Sequence, residues 1–193
     1  MGKILVFSDL HANKRAVEDL LSAIENVDLT ICCGDFLGYG KEIHFCTDFV
    51  IKNVDLVVQG DHERLAATNE PLDHQLQIVR ESTLYTRSQL SSNEKNYLSS
   101  LPTEISEKKM FVTHSIGDRY LRTAEDFIKL CDIAPKDVKY LFFGHTHEQV
   151  LFKHENKIVV NPGSITKGRR GFKRGYAIID DENVQFVNFG DIL

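Results

Sequence analysis

"KILVFSDLHANKRAVEDLLSAIE" (residues 3–25) is the stretch that decides the fold. Its first part, 3–9, is rich in β-branched and aromatic residues and ends on a polar tip, as a buried strand does. Its second part, 13–25, spaces apolar residues as a helix face, with Asn13 placed as an N-cap. The pattern then repeats. Residues 29–35 read as strand, 41–52 as helix and 55–61 as strand. A β-α-β-α-β order predicts parallel strands joined by helical crossovers.

Beyond this front half the spacing predicts helices over 72–83, 91–101 and 123–132. It predicts strands over 108–114, 139–145, 149–154, 157–163, 175–180 and 184–189. "HEN" (154–156) and "DDEN" (180–183) read as hairpin turns, so the back half should be more antiparallel. No repeat, low-complexity tract or Pro/Gly/Ser linker interrupts the chain. Its 193 residues suit a single domain over 1–193.

Hydrophobic content is 42% and charged content 26%, ordinary for a chain that buries a core. A net charge of -5 argues against a general nucleic-acid binder, whose domain is usually basic. No apolar stretch approaches the roughly 20 residues of a membrane span. The start "MGKILVFSDL" turns polar too soon for a signal peptide. Cys32, Cys33, Cys46 and Cys131 form no C-x-x-C pair, so they read as reduced structural thiols of a cytoplasmic protein.

Six apolar runs end alike. Their tips carry Asp9 and His11; Asp35; Asp61 and His62; His114; His145 and His147; and Asn161 with Ser164. Ligands of open α/β sheets bind beyond the carboxyl ends of strands. On extended backbone, side chains at i and i+2 point the same way, so Asp9 with His11 and His145 with His147 are expected to converge. A lone Asp or His at a strand end is more often a cap or turn former than a ligand. Here, however, five of the eight histidines lie at such tips. Imidazoles and carboxylates without thiolates suit Mn, Fe, Co, Ni or Zn. The set is too large for one tetrahedral ion, which points to two ions, the usual device for phosphoester hydrolysis.

These motifs carry a family resemblance. "DLHAN" (9–13), "GDFLGYG" (34–40), "GDHE" (60–63), "VTHS" (112–115) and "GHTH" (144–147) resemble, in order, the five blocks of the calcineurin-like metallophosphoesterases. "NPGS" (161–164) is similar to a motif of their small bacterial and archaeal phosphodiesterase branch. The resemblance implies an α/β fold: a four-layer αββα sandwich of two mixed β-sheets flanked by helices. It implies two divalent transition-metal ions (Mn, Ni, Fe or Zn). Asp9, His11 and His147 would hold the first. His114, His145 and Asp61 would hold the second, and Asp35 would bridge them. A hydroxide between the ions would attack a small phosphodiester, and His62 would assist the leaving alcohol. Glu63 would orient backbone or His62. Asn13 would support the site, cap its helix, or both. The expected partner is a small-molecule phosphoester; no membrane or nucleic acid is expected, and a homo-oligomer is allowed.

Position 61 departs from the pattern, with Asp where the family has Asn. Asp9, Asp35 and Asp61 bring about -3 against about +4 from two divalent ions, and a hydroxide takes the sum to about zero. Three consequences compete: a more positive ion such as ferric iron, a slower or differently selective hydrolase, or an engineered or drifted chain that is nearly inactive. A protein-binding scaffold on the same fold is the rival from another class, and His62 speaks against it. A superfamily nuclease is a further alternative, but such chains usually carry extra domains. The run "KGRRGFKR" (167–174) reads either as a solvated loop or as a positive lip. Tyr39 reads as pocket lining or packing, and His44, His74 and His154 as non-ligands.

Overall fold

The computed structural model describes residues 2–192. Strand β1 (Ile4–Phe7) is buried throughout. Leu5 and Phe7 point to a helical layer, while Ile4 and Val6 point between two sheets. That alternation is the period of two expected of a strand. Helix α1 (Lys14–Ile24) buries Ala16, Val17 and Leu20. β2 (Leu29–Cys32) lies parallel to β1. Helix α2 (Ile43–Asn53) follows, and β3 (Leu56–Val57) runs parallel to β2.

The 3–25 unit therefore folds as its pattern predicts. The third strand does not. It is two residues long, and Asp61 opens a short helix, α3 (Asp61–Ala67), instead of ending a strand. The Glu63 carboxylate reaches back to the Gly60 N–H at 3.0 Å, which stabilises the first turn. The next helix is also displaced. Instead of 72–83, α4 spans Gln77–Gln89. Leu72 is buried in the turn before it, whereas Leu76 is 74% exposed, so these two do not form one helix face. The C-terminal extension is held from outside, by Arg87 Nε and Nη2 donating to the carbonyls of Leu65 and Glu70 (both 2.9 Å). Helix α5 (Ser92–Ser100) carries the capping box between Ser91 and Glu94.

The back half adds β4 (Glu104–Glu107), β5 (Met110–Thr113), α6 (Ala124–Ile133), β6 (Tyr140–Phe142), β7 (Gln149–His154), β8 (Lys157–Pro162), β9 (Arg174–Asp180) and β10 (Asn183–Phe189). β4 has no counterpart in the sequence reading, because it is an edge strand of mostly exposed residues. The strand expected over 108–114 is cut short because Lys108 and Lys109, both at positive φ, form its turn with β4.

The described residues form two five-stranded mixed sheets, ordered β10-β9-β1-β2-β3 and β4-β5-β6-β8-β7. In each, parallel strands (β1, β2, β3; β5, β6, β8) are flanked by antiparallel ones. The two sheets pack face to face through Ile4, Val6, Ile31, Met110, Val112, Phe142 and Val160. Helices α1, α2, α3 and α5 cover the outer face of the first sheet. Phe127, Leu130 and Cys131 of α6 cover that of the second. These are the four αββα layers. All four cysteines are buried and unpaired. No described helix is long and apolar enough to cross a membrane.

Candidate metal centre

The carboxyl ends of the parallel strands of both sheets meet at one place. Two groups of side chains gather there, their ligand atoms within 4.8 Å of one another: Asp9, His11 and His147; and Asp35, Asp61, His114 and His145. Asp35 also forms a third such group with His11 and His62, so it stands between the other two. Every residue expected to ligate metal is thus brought together.

The route differs from the expected one. Asp9 (φ 56°), His11 (52°), Asp35 (54°), His145 (66°) and His147 (60°) all have left-handed backbone, so the extended-strand rule does not apply. Asp9 and His11 still converge, with His11 Nε2 3.9 Å from Asp9 Oδ1. His145 and His147 diverge, one to each group. Non-glycine residues adopt this backbone at a cost, and such strain clusters at functional sites.

The first group brings two imidazole rings edge to edge. His11 Nδ1 donates to the Leu37 carbonyl at 3.0 Å, and His147 Nδ1 to the Lys167 carbonyl at 2.9 Å. A carbonyl only accepts, so each Nδ1 carries a proton and each Nε2 is turned inward. Those two Nε2 atoms face each other at 3.0 Å. His147 Nε2 lies 3.1 Å from Asp9 Oδ1, yet neither oxygen of the fully buried Asp9 has a hydrogen-bond partner. Burial, then repulsion from His147, depresses the pKa of His11 to about 3 and keeps the ring neutral. Burial opposes charge on Asp9, but His147 foremost holds its carboxyl far below the usual range. Two imidazole Nε2 atoms converging beside a buried carboxylate without a hydrogen-bond partner fit a cation.

In the second group, His114 Nδ1 donates to the Cys33 carbonyl at 2.6 Å. Its Nε2 lies 3.2 Å from both Asp35 Oδ2 and Asp61 Oδ1. His145 Nδ1 lies 2.9 Å from the same Asp61 oxygen, and its Nε2 is buried without a partner. Burial opposes charge on Asp61, but hydrogen bonds from His114 and His145 hold its carboxyl far below the usual range. Burial also opposes charge on His114, and Asp35 outweighs it, raising that pKa well above the ordinary value.

Supporting contacts fix the tips. The Glu63 carboxylate accepts from three backbone N–H groups, of Asp35 (2.8 Å), Leu37 (2.8 Å) and Gly60 (3.0 Å), tying the turns after β2 and β3 together. Burial, then the Asp35 charge, pushes its pKa up to about 8, against the Leu37 and Gly60 donors. A Cβ at Gly34 (φ +90°) would lie 2.9 Å from His114 Nδ1, so a side chain there would displace the ring. Asn161 Nδ2 donates to the Gly144 carbonyl (2.8 Å), and Ser164 Oγ donates to the Asp9 carbonyl (2.8 Å), so "NPGS" braces both groups.

His62 is buried beside them, its backbone N–H donating to Asp35 Oδ1 at 3.0 Å. Its ring packs between Tyr39 (4.5 Å) and His11 (5.1 Å). Asn13 accepts from the Ala16 N–H at 3.2 Å and so caps α1. His44, His74 and His154 lie outside the ligand groups. A cavity of about 180 Å³ opens onto the centre, lined among others by Asp35, Asp61, His62, Tyr120, His145 and Arg169. Sequence reasoning did not single out Tyr120, whose ring stacks on His145 at 4.4 Å. It lies in a loop without periodicity, and only the fold brings it near.

The profile of the calcineurin-like phosphoesterase superfamily domain matches residues 2–183. The chain belongs to that superfamily. It is 28% identical to the phosphodiesterase MJ0936 of Methanocaldococcus jannaschii, over 83% of this chain and 82% of that one. It is also 28% identical to the protein MJ0912 of the same archaeon, over 93% and 83%. The structure is similar to that of a metallophosphoesterase from Sphaerobacter thermophilus, with a TM-score of 0.75, 25% identity, and coverage of 93% and 84%.

Proposed function

We propose that the protein is a dinuclear-metal-dependent phosphodiesterase acting on small phosphodiesters. The observation that carries this reading is the pair of ligand groups with Asp35 between them and His62 beside them, of which Asp35, Asp61, His62, His145 and His147 line one cavity. Asp9, His11 and His147 would hold one divalent ion, and Asp61, His114 and His145 the other, with Asp35 shared. Bound there, two such ions supply Lewis acidity and a nucleophile at neutral pH.

The chain's own residues do the rest. The carbonyls of Leu37, Lys167 and Cys33 fix the imidazole tautomers so that each Nε2 faces inward. Glu63 locks the Asp35 turn to the Gly60 turn. Tyr39 and His11 pin the His62 ring, placing it to hand a proton to a leaving alkoxide. Asp61 adds a charge that penalises a dianionic monoester more than a monoanionic diester, which favours the diester. The 28% likeness to a protein named as a phosphodiesterase supports the same choice.

The test is hydrolysis of bis-p-nitrophenyl phosphate and p-nitrophenyl phosphate after loading with Mn, Ni, Fe or Zn. Metal-dependent hydrolysis, faster on the diester, is expected. His62→Asn should lower kcat by about 10²- to 10⁴-fold with metal content unchanged. No hydrolysis of either ester with any metal would overturn the reading in favour of a binding scaffold.

A further inference from the structure

The basic run 167–174 does not behave as one unit. Arg174 is buried and paired with Asp19, Nη1 to Oδ2 at 2.8 Å. Arg170 projects to solvent and faces Glu148 at 3.6 Å. Lys167 and Lys173 are exposed. Arg169 alone among them lines the cavity over the metal centre, and no other Lys or Arg does so among the lining residues. Three carboxylates line the same cavity: Asp35, Asp61 and Asp118. Asp118 is engaged by Arg64 at 2.6 Å. Asp35 and Asp61 face the space that a phosphoester would enter.

Arg169 is held at the rim by its backbone. Its N–H donates to the His147 carbonyl at 3.1 Å, and its carbonyl accepts from the Phe172 N–H at 3.0 Å. The loop before it is anchored by Thr166 Oγ1 donating to the Leu10 carbonyl at 2.6 Å. Among the described residues the guanidinium makes no ion pair. Its Nη1 lies 3.5 Å from the hydroxyl of Tyr120, the ring that stacks on His145. A half-buried guanidinium with uncommitted donors, aimed at a carboxylate-lined cavity, has the planar fork that fits a phosphoryl group.

We propose that Arg169 is a substrate-binding residue that grips the anionic phosphoryl group and offsets the charge brought by Asp61. The proposal rests on the phosphoesterase reading for the identity of the anion. It joins the chain's departure at position 61 to a cation in the same cavity. The carboxylate repels an incoming anion, and a guanidinium across the cavity restores the attraction. Arg169 thereby favours substrates with a charged phosphoryl oxygen over neutral esters.

Binding of orthophosphate to the metal-loaded protein, followed by calorimetry with metal content measured for each variant, tests this without turnover. Arg169→Gln should weaken phosphate binding about tenfold, the scale of one hydrogen bond to a charged group. It should also raise KM for the diester with kcat nearly kept. Arg170→Gln, on the same loop, should change neither. In an Asp61→Asn background the cost of Arg169→Gln should shrink to about threefold, because there is less charge to offset. Unchanged phosphate affinity in Arg169→Gln, or an equal loss in both backgrounds, overturns the proposal. A wild-type protein that binds phosphate through Arg169 yet hydrolyses no ester would refute the phosphoesterase reading instead.

Discussion

The two ligand groups draw on the same residue types but differ in how their side chains satisfy one another. In the Asp9, His11 and His147 group, the carboxylate is wholly buried with neither oxygen hydrogen-bonded, and two imidazole Nε2 atoms face each other at 3.0 Å. In the Asp35, Asp61, His114 and His145 group, the extra carboxylate of Asp61 is reached by both histidines, at 3.2 and 2.9 Å, and is 16% exposed. A cation entering the first group gains two carboxylate oxygens that no hydrogen bond satisfies. A cation entering the second displaces interactions already made. The first group should therefore hold its ion more tightly.

The largest effect expected is from Asp9→Asn. The amide would bring no negative charge to the ion and would turn N–H donors into a group built around a carboxylate. Metal affinity there should fall by more than the roughly 100-fold seen for supporting residues. Metal content per chain and hydrolysis should fall together. Retention of that ion within tenfold would break the asymmetry between the groups.

Metal removal probes the same asymmetry without mutation. An ion present at 100 times its Kd stabilises the fold by about 2.7 kcal/mol, which is about 5–10 °C in Tm for a chain of this size. Graded chelation should lower Tm in two steps, the Asp61 group emptying first. One step that removes both ions together would contradict the ordering.

Glu63→Gln acts mainly on the second group, because Glu63 joins the Asp35 turn to the Gly60 turn and reaches the first group only through Leu37, whose carbonyl holds His11 Nδ1. A carboxamide cannot accept from three N–H groups as a carboxylate does. Stability should drop by about 1–3 kcal/mol, and metal affinity of the Asp61 group by about 10- to 100-fold. The Asp9 group, reached only through Leu37, should lose less. A fall in Tm with both affinities intact would show that Glu63 braces the fold alone.

Physical reasons separate what was legible in the sequence from what was not. The 3–25 unit was readable because Ile4 to Phe7 and Ala16, Val17 and Leu20 repeat with the periods of their elements. The seven-residue α3 was not. Its first turn, Asp61 to Glu63, has the composition of a polar turn, and the Glu63 carboxylate that caps it at Gly60 is held in place by a tertiary clamp on residues 35 and 37. The ligand residues were legible because strand tips collect them. Their division into two groups was not legible from strand geometry, because the left-handed backbone at His145 and His147 sends the two rings apart. Arg169 was visible only as one cation in a run, since nothing in "KGRRGFKR" marks the arginine that turns inward.

The smallest expected effect is opposite in sign to the others, and it bears on the residue where the chain leaves its family's pattern. Asp61→Asn removes one negative charge from the second group while keeping an oxygen that can still ligate. Its partners His114 and His145 would retain an acceptor at the same position. Metal affinity at that group should weaken by no more than about tenfold. The cavity then repels an incoming phosphoryl anion less, so kcat/KM on a generic diester should rise by about two- to fivefold, the worth of one partly screened charge contact. Added salt should narrow the gap between variant and wild type, because screening weakens the repulsion that the variant removes. If kcat/KM stays level or falls while both ions remain bound, charge is not what Asp61 contributes. Its two histidine contacts would then be its work, and the second group would differ from the first in rigidity rather than in affinity for anions.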